Sequence, residues 1–531
     1  MKAKTRGRYF SLSLYREALA QLALPGFLLL GMLLAGTVLV SGNALAWHHL
    51  MRAGTPDPYW YSFPDISEAW ALIPLFIWVA PFLLSILSFN FLTSRKKSDY
   101  YHALPLRREA LFLSYLAAIV TWLFSAVLFA MLLGGGIFVA GGIGVDWASI
   151  GIIGLEFMTA MLFAVSLALL AVSLSGTLFS NIVLINIFLW LPLLASTLFR
   201  RGVISMVPTL PQSAVSFFGL DASITLFTVV RLLDFPEATT SPVNALWTLL
   251  IAFMILAAAA LFFVRRKSEM AGNSAASNRM QALYRIAVSL PPLLFSFSTV
   301  GLSSVFLMSS VGFAAPLFLF EGAILTLPIA LVSALILMCA FELISTKRWR
   351  NLLKAPLSFA IALALSMLFA FSIWAVATFE ANFSPGSDEI EKVRIVSPHD
   401  RYGFLHSLYD DWVDPSESES ERELRLALTK LIKNEVEIRD KAVIDIAVDW
   451  LSQGCTSGSG GRSLNPPPVD IFDLFFADHL NFGMEEKLIF EIHTSNGATR
   501  QRVLSYGSYS WRDSEFKINE LGEALIVAGS E

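Results

Sequence analysis

Long apolar segments constrain this chain more than any other feature. A helix needs roughly 20 consecutive apolar residues to cross the hydrocarbon core of a bilayer, because it rises about 1.5 Å per residue. Nine such stretches can be read, near 22–41, 70–92, 110–133, 152–173, 177–198, 243–264, 286–309, 322–343 and 357–378. Only a short Ser/Gly break, Ser173 to Ser180, separates the fourth from the fifth. Composition agrees, with 55% hydrophobic and 15% charged residues. The expected class is an all-α polytopic membrane protein with about nine transmembrane helices. Lys2, Lys4, Arg6 and Arg8 lead into a first stretch too long for a cleaved leader, so it is expected to remain as a span.

Lys and Arg resist translocation, and their distribution orients the spans. With residues 1–21 in the cytoplasm, the inner segments 1–21, 93–109, 265–285 and 344–355 hold 19 Lys/Arg. The short outer loops hold four: Arg52, Arg200, Arg201 and Arg231. This places the region after 378 outside a plasma membrane. That region carries 28 Asp/Glu against 15 Lys/Arg. Cys339 falls in a span and Cys455 in the outer region, so no disulfide is expected between them.

The expected organisation is a cytoplasmic N-terminus with an interfacial helix (1–21), a six-helix core (22–267) with a loop at 94–109, a cytoplasmic linker (268–285), three further spans (286–378) and an extracellular α+β domain (379–531). In that domain Ser384-Pro385-Gly386-Ser387 reads as a linker, 390–396 as a strand and 417–433 as a helix. Ile444, Ile446, Val448 and Trp450 alternate, which predicts a strand over 443–450. Residues 469–480 read as a helix. Asn496-Gly497 between 487–494 and 499–505 predicts a hairpin, since both residues tolerate positive φ. Gly134-Gly135-Gly136 and Gly141-Gly142 fit a hinge, close helix packing or entry into a loop.

Several chemistries have no motif here. There is no Gly-x-x-x-x-Gly-Lys-Ser/Thr, His-Glu-x-x-His, paired Cys-x-x-Cys or Gly-x-Ser-x-Gly. His48 and His49 are adjacent and point apart on a helix, a poor metal pair. Glu156, Glu321 and Glu342 fall near predicted span ends, within reach of water, which disfavours a proton relay. No metal, cofactor or nucleic-acid partner is expected.

The loop Arg95-Lys96-Lys97-Ser98-Asp99-Tyr100-Tyr101-His102-Ala103-Leu104-Pro105-Leu106-Arg107-Arg108-Glu109 is more ordered than charge alone requires. Its mix predicts a short amphipathic helix stopped near Pro105. A second motif, Arg265-Arg266-Lys267-Ser268-Glu269-Met270-Ala271-Gly272, closes the sixth span. The stretch 97–109 resembles the loop after the second span in ABC-2-type exporter permeases of Gram-positive bacteria, and Arg266-Lys267-Ser268-Glu269 with Ala271-Gly272 is similar to the end of their sixth span. The Asn496-Gly497 hairpin with Arg500 and Arg502 resembles the closing strands of the extracellular domain that some members carry.

The resemblance implies a permease subunit of an ATP-driven exporter that pairs with a separate ABC ATPase subunit, where ATP is bound. It also implies a second permease, identical or related. Residues 95–106 would be the coupling helix, with Lys96, Lys97, Asp99 and Tyr100 as polar contacts and Leu104 and Leu106 as apolar seat. Arg107, Arg108 and Glu109 would complete the ATPase-coupling set and open the next span. Spans rich in Phe, Leu and Ala suit an amphiphilic, lipid-like or antimicrobial cargo. Two other readings stay open. One is a membrane-embedded enzyme acting on lipid-linked substrate, with Asp410, Asp411 and Asp414 as its acids. The other is a sensor with an extracellular ligand-binding domain, although no inner segment exceeds about 22 residues.

Overall fold

The structure is a computed structural model. It describes residues 9–52, 72–103, 106–207, 242–298, 318–383, 385–399, 419–433, 436–452, 485–509, 516–518 and 520–530, with single positions at 210, 224 and 226. Expectations for residues 410–414, Cys455 and 469–480 fall outside these.

The chain is mostly helical. In order come α1 (Leu12–Gln21), α2 (Ala23–Arg52), α3 (Leu72–Ser88), α4 (Arg95–Ala103), α5 (Arg108–Ala140), α6 (Trp147–Leu174), α7 (Leu178–Met206), α8 (Pro242–Arg265), α9 (Asn278–Phe297), α10 (Phe318–Thr346) and α11 (Ala355–Ala381). Among the described residues seven helices are long and apolar enough to cross a membrane: α2, α5, α6, α7, α8, α10 and the run Trp349–Ala381 that contains α11. The protein is therefore a helical membrane protein. Helix α3 has 17 residues, short of that measure.

Helix α9 starts at Asn278, ahead of the span expected from 286, so the linker expected at 268–285 ends sooner. Its first turns carry Arg279, Gln281 and Arg285, which hydropathy counts against a membrane helix. Gln281 and Arg285 are nevertheless buried, because both meet Glu342 on α10. Pairing, not apolarity, carries this part of the helix inward.

The chain divides into two compact units, described separately: 1–194 with 218–291 and 332–363, and 195–217 with 292–331 and 364–531. The first is organised on α6. Of its apolar window 83% is buried, against 22% for α2, so α6 is a central helix enclosed by others. Helices α3, α5 and α8 pack on it, and Leu14, Ala18 and Leu22 seat the N-terminal segment in the same core. Gly134-Gly135-Gly136 lies within α5. A Cβ on Gly135 would sit 2.7 Å from the Trp147 ring, which selects close packing among the three roles read for these glycines. Helix α5 stops at Gly141, and Gly142 follows with φ +79°.

The second unit contains a five-stranded antiparallel sheet. Its strands are β1 (Ile390–His399), β2 (Glu437–Ile438), β3 (Glu485–Thr494), β4 (Thr499–Tyr509) and β5 (Phe516–Ile518), in the order β2-β1-β3-β4-β5. The β3–β4 hairpin closes where expected. Gly497 has φ +81°, and the Asn496 side chain accepts from Ala498 N at 3.1 Å. Helices α12 (Glu419–Lys433), α13 (Lys441–Ser452) and α14 (Glu520–Ser530) share one core with Val393, Ile395, Phe490, Ile492 and Leu504. Helix α13 overturns the strand expected at 443–450. Asp440 caps it by accepting from Ala442 N at 2.9 Å, and Val443, Ile444 and Ala447 bury one helical face. The alternating residues are half of a helical set whose other members, Val443 and Ala447, fall off the alternation.

The linker expected at 384–387 is bridged. Arg502, 1% exposed, donates to Glu380 Oε2 at 2.9 Å and to Glu380 O at 3.1 Å, at the end of α11. Its guanidinium also lies 5.0 Å from the Phe383 ring centre. Breaking a buried pair leaves an uncompensated charge, so Arg502→Ala is expected to destabilise this unit by about 3 kcal/mol. Arg500, half-buried and 3.9 Å from Glu380, should cost far less when replaced. Thermal unfolding of the detergent-solubilised chain measures the difference; equal losses would remove the special place given to Arg502.

Candidate functional site

Helix α4 forms from residues that tolerate helix well, and it ends at Ala103, two positions before Pro105. Ser98 N bonds to Ser94 O at 2.8 Å to close its first turn. Its faces differ sharply. Ser98 is fully buried and Tyr101 half-buried, while Lys96, Lys97, Asp99 and Tyr100 are exposed. The amphipathic helix read from the sequence is therefore present, and its four polar candidates share the open side. Leu106 is 45% exposed, and Leu104 lies outside the described residues.

The buried side rests on aromatic rings. Tyr101 lies 4.3 Å from Phe91 between ring centres, and Phe89, Phe112, Tyr115 and Phe263 continue the cluster at 5.4–5.9 Å. Pairs of this kind contribute about 0.5–1.5 kcal/mol each beyond their buried area. Tyr115 donates to the Tyr101 hydroxyl at 3.3 Å, and Tyr101 donates to Glu17 Oε1 at 3.2 Å. Burial raises the Tyr101 pKa, so the hydroxyl stays protonated as the donor. This chain of hydroxyls joins α1, α4 and α5.

The base of α4 is bound to the other helix ends of the same unit. Arg266 is 2% exposed and, among the described residues, has no carboxylate beside it. Instead it donates to Val172 O at 2.6 Å, Ser175 O at 2.7 Å and Leu92 O at 2.9 Å. Two of these are carbonyls at the end of α6, where the helix dipole favours a cation. The third closely precedes α4. Burial lowers the Arg266 pKa to about 10, which leaves the guanidinium charged at neutral pH. Arg95, at the start of α4, donates to Ala271 O at 3.2 Å. Gly272 N bonds to Gly176 O at 2.8 Å, and Gly176 N to Asn273 O at 3.0 Å. The α6–α7 turn and the turn after α8 are thus joined through backbone. No side chain fits at Gly176, since a Cβ there would lie 2.0 Å from Met270 O.

Arg107, Arg108 and Glu109, the last three residues of the expected coupling set, stand at the start of α5. Arg108 donates to Val264 O at 2.9 Å and to Arg266 O at 2.5 Å, tying α5 to the end of α8. The Arg107 guanidinium lies 5.1 Å over the Tyr9 ring, and Glu109 sits in the first turn of α5, where its charge suits the helix dipole. Sequence reading missed Arg95, Arg266, Gly176 and Tyr101 as site residues. The second motif contained Arg266, but the carbonyls it binds are 91 to 174 positions away.

The span carboxylates also need correction. Glu342 does not reach water: it is 1% exposed, 3.8 Å from Arg285 and 2.8 Å from Gln281 Nε2, which also donates to Ser345 Oγ at 3.1 Å. Glu156 is buried nine residues into α6, about 14 Å along the axis. It lies deeper than expected because α6 begins at Trp147, capped by Asp146. Glu321 is in the first turn of α10. His48 and His49 stand edge to face at 5.9 Å, and the described residues contain no cluster of three or more metal-ligating side chains.

No protein-family model matches the chain, and no curated protein or solved structure matches it either.

Gly176→Ala is expected to lower the melting temperature of the solubilised chain by several degrees, because the Met270 carbonyl must move. Gly31→Ala in α2, where a Cβ would meet nothing within 4 Å, should leave it unchanged or raise it. A neutral Gly176→Ala would mean that the joined turns are loosely held.

Proposed function

We propose that this chain is the permease subunit of an ATP-driven exporter, and that α4 is the element through which a separate ATPase subunit acts on it. The observation that carries this reading is the two-sided character of α4. One side, where Ser98 is buried, is fixed by Tyr101 and Arg95 to other helices and to the turn after α8. The opposite side offers Lys96, Lys97, Asp99 and Tyr100, none of which forms an ion pair among the described residues. A partner that pushes on the open side moves Leu92, Arg266 and the α6–α7 turn with it. The loop from Ser88 to Arg108 is long enough to project toward such a partner. The chain has no nucleotide-binding loop of its own, in keeping with an engine on a second subunit.

The finer topology belongs to the same reading. The seven long apolar helices, with α3 and α9, make nine spans; α4 faces the cytoplasm of a plasma membrane, and the sheet-bearing region lies outside. Two such permeases, identical or related, enclose the path for an amphiphilic or lipid-like cargo. No transport chemistry is assigned to Asp410, Asp411 or Asp414, which lie outside the described residues.

Affinity purification of the tagged chain in mild detergent is expected to recover an ATPase in near-equal amount. Lys96→Glu with Lys97→Glu should reduce that recovery at least tenfold while the thermal profile of the chain is kept. An undiminished yield would remove α4 as the docking element. For topology, Ser495→Cys places a thiol on the exposed β3–β4 turn of a chain whose Cys339 and Cys455 are replaced by serine. An impermeant maleimide should label it in intact cells; labelling only after lysis would place the sheet inside.

A further inference from the structure

The turn between α10 and α11 differs from the α4 loop in one decisive respect: it has no length. Helix α10 ends at Thr346, and the last apolar run begins at Trp349. Only Lys347 and Arg348 stand between two candidate membrane helices. Lys347 takes left-handed backbone with φ +56°, which ends α10. The turn of 3-10 helix that follows, Trp349–Lys354, cannot project away from the bilayer and must lie at its surface.

Its side chains are those of a headgroup-binding surface. Lys347, Arg348, Arg350 and Lys354 put four cations on eight residues, all exposed. None forms an ion pair among the described residues, and no Asp or Glu occurs between Glu342 and Glu380. Glu342 is already held by Arg285 and Gln281 on the inner side. Between the cations Trp349 is 72% exposed and Leu353 84% exposed, and Leu357 continues the spacing at 72%. The Asn351 backbone carbonyl accepts from Arg285 at 3.4 Å, fixing the turn to α9.

Indole rings and basic side chains at a span end share one environment, the boundary between acyl chains and phosphates. We propose that residues 347–354 form a binding surface for anionic phospholipid, with Trp349 and Leu353 in the acyl boundary and Arg348, Arg350 and Lys354 on the phosphates. The surface needs only the membrane and no ATPase partner, so it stands or falls separately from the exporter reading.

The test uses the full chain reconstituted in vesicles of phosphatidylcholine and phosphatidylglycerol, re-extracted in mild detergent, with retained lipid identified by native mass spectrometry. The chain is expected to retain phosphatidylglycerol selectively. Each cation at a membrane surface contributes enough that Lys354→Gln should lower this preference about fivefold, and R348Q/R350Q/K354Q about a hundredfold. Trp349→Ala should reduce retention of both lipids. Lys96→Gln with Lys97→Gln, on a different loop, should lower the preference far less than the triple variant. An excess of inorganic phosphate should not displace the lipid. The proposal is overturned if the triple variant keeps its preference, if the α4 variant loses it equally, or if phosphate alone displaces the lipid. It is also overturned if the triple variant instead sheds a bound protein with lipid retention unchanged.

Discussion

The helix ends around α4 depend on one guanidinium held by backbone carbonyls, with no carboxylate partner among the described residues. Arg266 sits 2% exposed among carbonyls from Val172, Ser175 and Leu92. A salt bridge would have fixed it to one side chain, which could swing. Backbone acceptors fix it to the path of the chain at two separate places. Since Arg108 donates to the Arg266 carbonyl as well, the start of α5 enters the same junction. The Gly176–Gly272 bond lies beside this junction and is held in register by it, and the aromatic seat of α4 begins at Phe91, next to Leu92. Removing this one side chain would take a charged donor from three buried carbonyls, a larger loss than any single apolar contact nearby.

Buried polar groups at α9 and α10 in the same unit are matched to partners. Glu342 meets Arg285 and Gln281, and Tyr284 donates to Leu174 O at 3.1 Å, adding another donor to the end of α6. In an apolar surrounding each would be costly alone. Together they let α9 bury a surface that hydropathy scores as too polar. The result is a helix placed by matched partners, next to helices placed by apolar length.

That contrast explains what the sequence could reveal. Apolar length is a local property, so the long helices were legible from residues 22–41 onward with modest errors at their ends. The hairpin at Asn496-Gly497 was legible for the same reason, since two residues define its turn. The basic run and tyrosine pair at 95–101 marked α4 and its open face. Partner-dependent features were not legible. Nothing near Arg266 announces carbonyls more than ninety positions away, and nothing near Gly176 tells that a Met270 oxygen excludes a side chain. The helix at 441–452 was misread because β-branched residues favour strands locally, while the Asp440 cap and a buried face decided otherwise.

The Arg502–Glu380 pair changes what residues 382–389 can be. A tether of Ser, Pro and Gly would let the sheet turn freely at the end of α11. With Arg502 buried against Glu380 and Phe383, that freedom is gone, and strand β4 is joined to the last turn of α11 through a contact shorter than the covalent path. A pull or twist applied at the β3–β4 turn travels down β4 and is delivered to the helix as torque rather than lost in slack. In this respect the sheet is a handle on α11.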